Sequence, residues 1–102
     1  MCGIYITNLN YSKGQIQNKL EETYFRGPDN FGYCKINGVS LAHLRLSIID
    51  VNIRSNQPFS FDGLHLTYNG EIYNFLDLKN KLIKNGYTFI TDSDTEVLLK
   101  GY

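Results

Sequence analysis

Asn37-Gly38 stands between two runs of alternating side chains, and this pair limits the fold of the chain more tightly than any other short feature. A two-residue hairpin turn needs positive φ at both central positions, which Asn-Gly accepts readily. Phe31 to Ile36 and Val39 to Ile49 are therefore predicted as two antiparallel strands joined by that turn. In the second strand Ala42, Leu44, Leu46 and Ile48 make one apolar face, while His43, Arg45 and Ser47 share the opposite one. Arg45 is thus carried by a packed strand.

The same alternation predicts a strand over Cys2 to Thr7, with Cys2, Ile4 and Ile6 on its apolar face. Ser12 can cap a helix running to about Phe25, whose stripe is Ile16, Leu20 and Tyr24. Arg26-Gly27-Pro28-Asp29 breaks it, because Gly and Pro end helices and the residue before Pro avoids the helical region. An ion pair between Arg26 and Asp29 is expected to brace this turn. Beyond Gln57-Pro58, Leu64 to Asn69 resumes strand alternation. Asn74 can cap a helix from Phe75 to Asn85, with Phe75, Leu78 and Leu82 on one face and Asn85-Gly86 at its C-terminus. Tyr87 to Thr91 is predicted as a strand, and Ser93-Asp94-Thr95-Glu96 as a capping box that opens a last helix. Together these elements predict one α+β unit of mostly antiparallel strands with helices outside. The last helix stops at Tyr102, which suggests a truncated domain unless Gly101 is a natural C-cap.

With 102 residues, 42% of them hydrophobic, the chain has the means to build one core. Ten Lys and Arg balance ten Asp and Glu, and no basic cluster supplies the footprint of nucleic-acid or membrane-surface binding. No apolar run approaches a membrane span, and the N-terminus lacks the regions of a signal peptide. The expected location is the cytoplasm. Two cysteines, Cys2 and Cys34, are too few for a secreted disulfide scaffold and lack the spacing of a zinc site, so no metal is expected.

Two local features carry chemistry. Removal of Met1 would leave a thiol and a free α-amine on Cys2, a nucleophile with its own base, since an α-amine titrates at roughly 7.7 to 8.0. The competing reading is a small buried hydrophobe, the commonest fate of a free cysteine. Asn69-Gly70 lacks a matching hairpin strand in Glu71-Ile72-Tyr73. A carboxamide beside a glycine N–H can serve a developing oxyanion, and an ordinary turn is the alternative.

Taken in order, Met1-Cys2-Gly3-Ile4, Arg26-Gly27-Pro28-Asp29, Ala42-His43-Leu44-Arg45-Leu46-Ser47-Ile48-Ile49-Asp50, Gln57-Pro58, Tyr68-Asn69-Gly70-Glu71-Ile72-Tyr73-Asn74 and Ser93-Asp94-Thr95-Glu96 span nearly the whole chain. This set resembles the glutaminase domain of glutamine-hydrolysing asparagine synthetases. These are class II glutamine amidotransferases of the N-terminal-nucleophile type, in which two antiparallel sheets are sandwiched between helix layers. The resemblance implies that residues 1–102 are the N-terminal part of such a domain. It also implies that the ATP-dependent synthetase domain is absent, with ATP and Mg expected only there and no cofactor in this chain.

By the same resemblance, Cys2 attacks the side-chain carboxamide of glutamine, and Asn69 with the Gly70 N–H forms the oxyanion hole. Arg45 grips the substrate α-carboxylate, whose geometry its planar fork matches. Asp94 and Glu71 meet the ammonium, and the backbone of Leu46, Ser47, Ile48 and Ile49 lines the site. The implied partners are glutamine and a synthetase domain that receives ammonia. His43 is expected to be structural. Phe25 stands where the family often has histidine, which alters loop packing without touching a proposed catalytic role. Two alternatives remain open: the same glutaminase serving a sugar or other acceptor, and a non-catalytic glutamine-binding fragment.

Overall fold

The computed structural model describes residues 2–47 and 52–102. Its centre is the hairpin of β2 (Asn30–Ile36) and β3 (Val39–Arg45), with Ile36 opposite Val39 across the turn. Asn37 and Gly38 adopt φ of 49° and 79°, the paired positive values that a two-residue turn between twisted strands requires. β1 (Gly3–Thr7) pairs antiparallel with the other edge of β3, giving the order β1-β3-β2. A second antiparallel hairpin, β4 (Phe59–Phe61) and β5 (Leu64–Leu66), and three α-helices complete, among the described residues, an α+β fold with two sheets.

α1 (Lys13–Glu21) starts at a capping box, in which Ser12 Oγ accepts from the Gln15 N–H and Gln15 Oε1 accepts from the Ser12 N–H. The helix buries Ile16 and Leu20 against Ala42 and Leu44 of β3, and Tyr5, Tyr11, Phe31 and Tyr33 close the margins of this core. It ends before Tyr24, which lies in a single 3₁₀ turn (Tyr24–Arg26) and is exposed, so the predicted stripe stops at Leu20. The faces of β1 also differ from expectation. Gly3 and Tyr5 stand opposite Leu44 and Ala42 on the α1 side, which leaves Ile4 and Ile6 on the other side, 39% and 56% exposed. Register decides this: a strand shows its neighbour's core side chains whichever residues oppose them, and a tyrosine ring packs as well as an isoleucine.

Arg26 and Asp29 do not pair with one another. Arg26 Nε donates to the Cys2 carbonyl at 3.2 Å, and Asp29 Oδ2 accepts the Ser47 N–H at 2.7 Å. The turn is braced through neighbouring backbone instead of within itself.

On the side of the sheet away from α1, the loop at Gln57-Pro58 lies so close to β2 that a Cβ on Gly32 would sit 1.6 Å from the Gln57 carbonyl oxygen. That approach covers His43, which is fully buried. α2 (Phe75–Lys84) packs against α3 (Asp94–Gly101), and α3 also lies along β4 and β5. Gly86, at φ of 94°, follows the Asn85 cap of α2 as expected.

The predicted strand over Tyr87 to Thr91 does not form. The amides of Ile90 and Thr91 donate to the Glu96 carboxylate at 3.0 and 2.7 Å, and Thr91 Oγ1 joins them. Glu96 therefore serves the preceding loop instead of closing a box on Ser93. Ser93 still caps α3 through Thr95 N, at 3.0 Å.

Candidate active site

Three pieces of chain meet beyond the C-terminal end of β3: the residues just before β1, the segment that follows β5, and the first turn of α3. They enclose a cleft of about 390 Å³ lined by Cys2, Arg45, Leu46, Asn69, Gly70, Glu71 and Asp94, with Ser55, Gln57, Tyr68, Tyr73, Ser93 and Thr95 among its other walls.

Cys2 is held from two directions. Its backbone N–H donates to Asn69 Oδ1 at 3.1 Å, and its sulfur receives the Leu46 N–H at 3.4 Å. The first contact joins residues 67 positions apart and orients the carboxamide, because only its oxygen can accept that N–H. Asn69 Nδ2 is thereby the amide end available as a donor. Gly70 follows with little room for a side chain, since a Cβ there would lie 2.7 Å from the Tyr68 phenol oxygen.

Arg45 is 5% exposed although charged. Its Nη1 donates to the Asn52 carbonyl at 2.9 Å and to Asn56 Oδ1 at 2.8 Å, so the 3₁₀ turn Ile53–Ser55 and its flanks hold the guanidinium on the cleft wall. Buried charge demands such partners. Asp94 is similarly buried, and its Oδ2 accepts the Ile72 N–H at 3.0 Å. Glu71 lies exposed on the rim. The cleft thus offers one cation and two carboxylates, the charge pattern that complements a free amino acid.

Three titrations are displaced around the cleft. Burial pushes the His43 imidazole down to about 4, with Arg45 adding to the effect and the hydrogen bond to Tyr68 opposing it. His43 is therefore neutral near pH 7. Its Nε2 lies 3.1 Å from the Tyr68 carbonyl, which can only accept, so Nε2 carries the proton. Burial, Asp94, Glu71 and Tyr73 push the Tyr68 phenol up, which keeps it protonated. Burial also acts to raise Glu96, but hydrogen bonds from Lys100, Thr91 and Ile90 outweigh it and hold that carboxyl low.

Among the residues singled out from sequence, Cys2, Arg45, Leu46, Asn69, Gly70, Glu71 and Asp94 come together. Ser47 does not line the cleft; its N–H is taken by Asp29. Ile48 and Ile49 lie outside the described residues. Sequence reasoning passed over Gln57, Tyr68 and Thr95 as parts of the wall. Their signal was proximity, since Tyr68 precedes Asn69, Thr95 follows Asp94, and Gln57 opens a Gln-Pro step. Among the described residues no group of three or more His, Cys, Asp or Glu side chains could hold a metal ion, and no helix is long and apolar enough to cross a membrane.

Comparison with known proteins places the chain in a family. Residues 1–102 match the family model described as a glutamine amidotransferase domain. The chain is 49% identical over 79 residues to glutamine-hydrolyzing asparagine synthetase 1 of Bacillus subtilis (strain 168), covering 76% of this chain and 12% of the relative. It is 39% identical over 108 residues to a probable glutamine-hydrolyzing asparagine synthetase of Schizosaccharomyces pombe, covering 100% of this chain and 19% of the relative. It is 33% identical over 90 residues to the amidase chyE of Penicillium rubens, covering 86% of this chain and 13% of the relative. The chain thus spans less than a fifth of the length of these curated relatives. With the family model matching from the first residue to the last, the chain belongs to the glutamine amidotransferase domain family.

Proposed function

We propose that this chain hydrolyses glutamine to glutamate and ammonia through Cys2, and that the ammonia serves an asparagine-synthetase-like acceptor reaction in an ATP-dependent synthetase domain. The observation that carries the reading is the junction of Cys2 with Asn69, 3.1 Å from nitrogen to Oδ1, inside a cleft that also holds Arg45 and Asp94. A packing role for Cys2 would not need an oriented carboxamide beside its nitrogen.

In this mechanism Met1 has been removed, so the nitrogen that faces Asn69 is an amine with a lone pair. Arg45 receives the substrate carboxylate, and Asp94 with Glu71 receives the ammonium, which places the side-chain amide at the sulfur. Sulfur attacks the amide carbon while the α-amine takes the thiol proton. The oxyanion that forms meets Asn69 Nδ2 and the Gly70 N–H. The amine then returns its proton to the departing nitrogen, ammonia leaves, and a thioester remains. Water, deprotonated by the same amine, attacks the thioester carbon; the carbon–sulfur bond breaks, the amine returns its proton to the sulfur, and glutamate leaves. Donors fixed before the reaction stabilise developing charge without reorganising, which is the largest contribution such a site makes.

The test compares protein with and without Met1 for glutamate release from glutamine. Turnover is expected only from the form that begins at Cys2, and Cys2→Ala is expected to abolish it with unchanged thermal stability. Equal turnover from Cys2→Ala would overturn the assignment. The relative from Penicillium rubens is named an amidase. That name favours, as a second reading, the same glutamine hydrolysis serving another acceptor.

A further inference from the structure

β5 ends at Leu66, yet the chain must present Asn69 and Gly70 to the cleft three residues later with no ladder to hold it. Two buried side chains from other segments do the holding. The Tyr68 N–H donates to Gln57 Oε1 at 2.6 Å, and the Tyr68 carbonyl accepts from His43 Nε2 at 3.1 Å. These two groups belong to the peptide planes on either side of the Tyr68 Cα, so fixing both fixes the direction in which Asn69 leaves. Both clamps are buried: His43 is 0% and Gln57 7% exposed. Gln57 has a further hold, since its Nε2 donates to Thr95 Oγ1 at 3.1 Å in the first turn of α3, one residue past Asp94.

We infer that His43 and Gln57 are positioning residues for glutamine hydrolysis: together they aim Asn69 and Gly70, and Gln57 couples that loop to the Asp94 turn through Thr95. The inference rests on the glutaminase reading above. It explains why a histidine whose Nδ1 has no partner among the described residues is buried on the inner side of the site strand. Its other nitrogen supplies the donor that meets the Tyr68 carbonyl. It also explains the tight fit of Gly32, because a side chain there would displace the Gln57 backbone and with it the clamp.

The test measures kcat and KM for glutamine in the complete protein, with active sites counted by a glutamine-mimicking electrophile. His43→Leu and Gln57→Leu are expected to lower kcat per titrated site by about ten- to a hundredfold, the range that small misplacements of catalytic groups produce. KM should move less. His43→Gln retains an amide N–H within reach of the Tyr68 carbonyl and should recover most of the loss. Thr95→Val cuts only the link to α3 and should act chiefly on KM. Unchanged kcat per titrated site in both leucine variants, with only lower thermal stability, would overturn the inference. If the leucine variants do not fold, Thr95→Val carries the test, and unchanged kcat and KM in that variant also overturn the inference. Amide exchange at Asn69 and Gly70 without substrate separates the two levels. Faster exchange there in the variants, with α1 unchanged, supports the clamp even if the wild-type protein releases no glutamate, an outcome that would sink only the glutaminase reading.

Discussion

β3 buries both of its faces, and it does so by opposite means. Toward α1 it presents Ala42 and Leu44, packed by Ile16 and Leu20, with the small Ser40 buried farther along the same face. On the opposite side it presents His43 and Arg45, His43 bonded to the Tyr68 carbonyl and Arg45 to Asn52 and Asn56 of the loop that follows. Apolar packing is non-directional and tolerates rearrangement, whereas a buried donor or acceptor must be met at the right distance and angle. The α1 face therefore supplies stability, and the cleft face spends some of it on fixed geometry.

Breaking the cleft face should cost activity far more than stability. Asn69→Ala is expected to lower kcat by about 10² to 10³ with little change in KM, as for the loss of one oxyanion donor. Equal losses in binding and turnover would place Asn69 on the ground state instead. The reverse holds on the α1 face: Ile16→Ala should destabilise by about 2 to 5 kcal/mol while leaving kcat per titrated site unchanged, measured by denaturant unfolding. A large fall in kcat there would erase the division between the faces.

Acid should also separate them. His43 is held neutral, so the unfolded chain binds its proton more readily. Its contribution is intact above about pH 6.5 and falls as pH drops toward 4, at about 1.4 kcal/mol per pH unit. Glu96, held low, contributes above its unfolded value and loses that contribution as pH falls through its folded one. Unfolding curves from pH 7 to pH 4 should thus show falling stability, with a shallower slope in His43→Gln. An identical slope would mean that His43 does not govern it. The smallest effect is expected at the far end of α1, where Ser12→Ala should cost about 1 kcal/mol and leave activity unchanged.

The two faces were not equally legible in the sequence. The α1 face followed from period and caps: Asn37-Gly38 set the hairpin, Ser12 the helix start, and Ala42 with Leu44 the buried stripe. The site residues Cys2, Arg45, Asn69 and Asp94 stood out by chemical type and motif order. Most of what escaped depends on a partner outside the segment itself. Tyr87 to Thr91 has the composition of a strand, but the Glu96 carboxylate captures the amides that a neighbouring strand would have used. Ile4 and Ile6 read as core until the pairing with β3 put Gly3 and Tyr5 on the helix side. The β4–β5 hairpin had a local signal that went unused: Asp62-Gly63, at φ of 50° and 73°, sits between Phe-Ser-Phe and Leu-His-Leu. The roles of Gln57 and His43 could not be read locally, because each acts on Tyr68 from another segment.

The central claim is that Cys2 is the nucleophile of this cleft, and covalent capture tests it most directly. Protein with Met1 removed is treated with a glutamine-mimicking electrophile, and the adduct is located by intact mass and peptide mapping. One equivalent on Cys2, prevented by excess glutamine, is the expected result; labelling of Cys34 alone would contradict it.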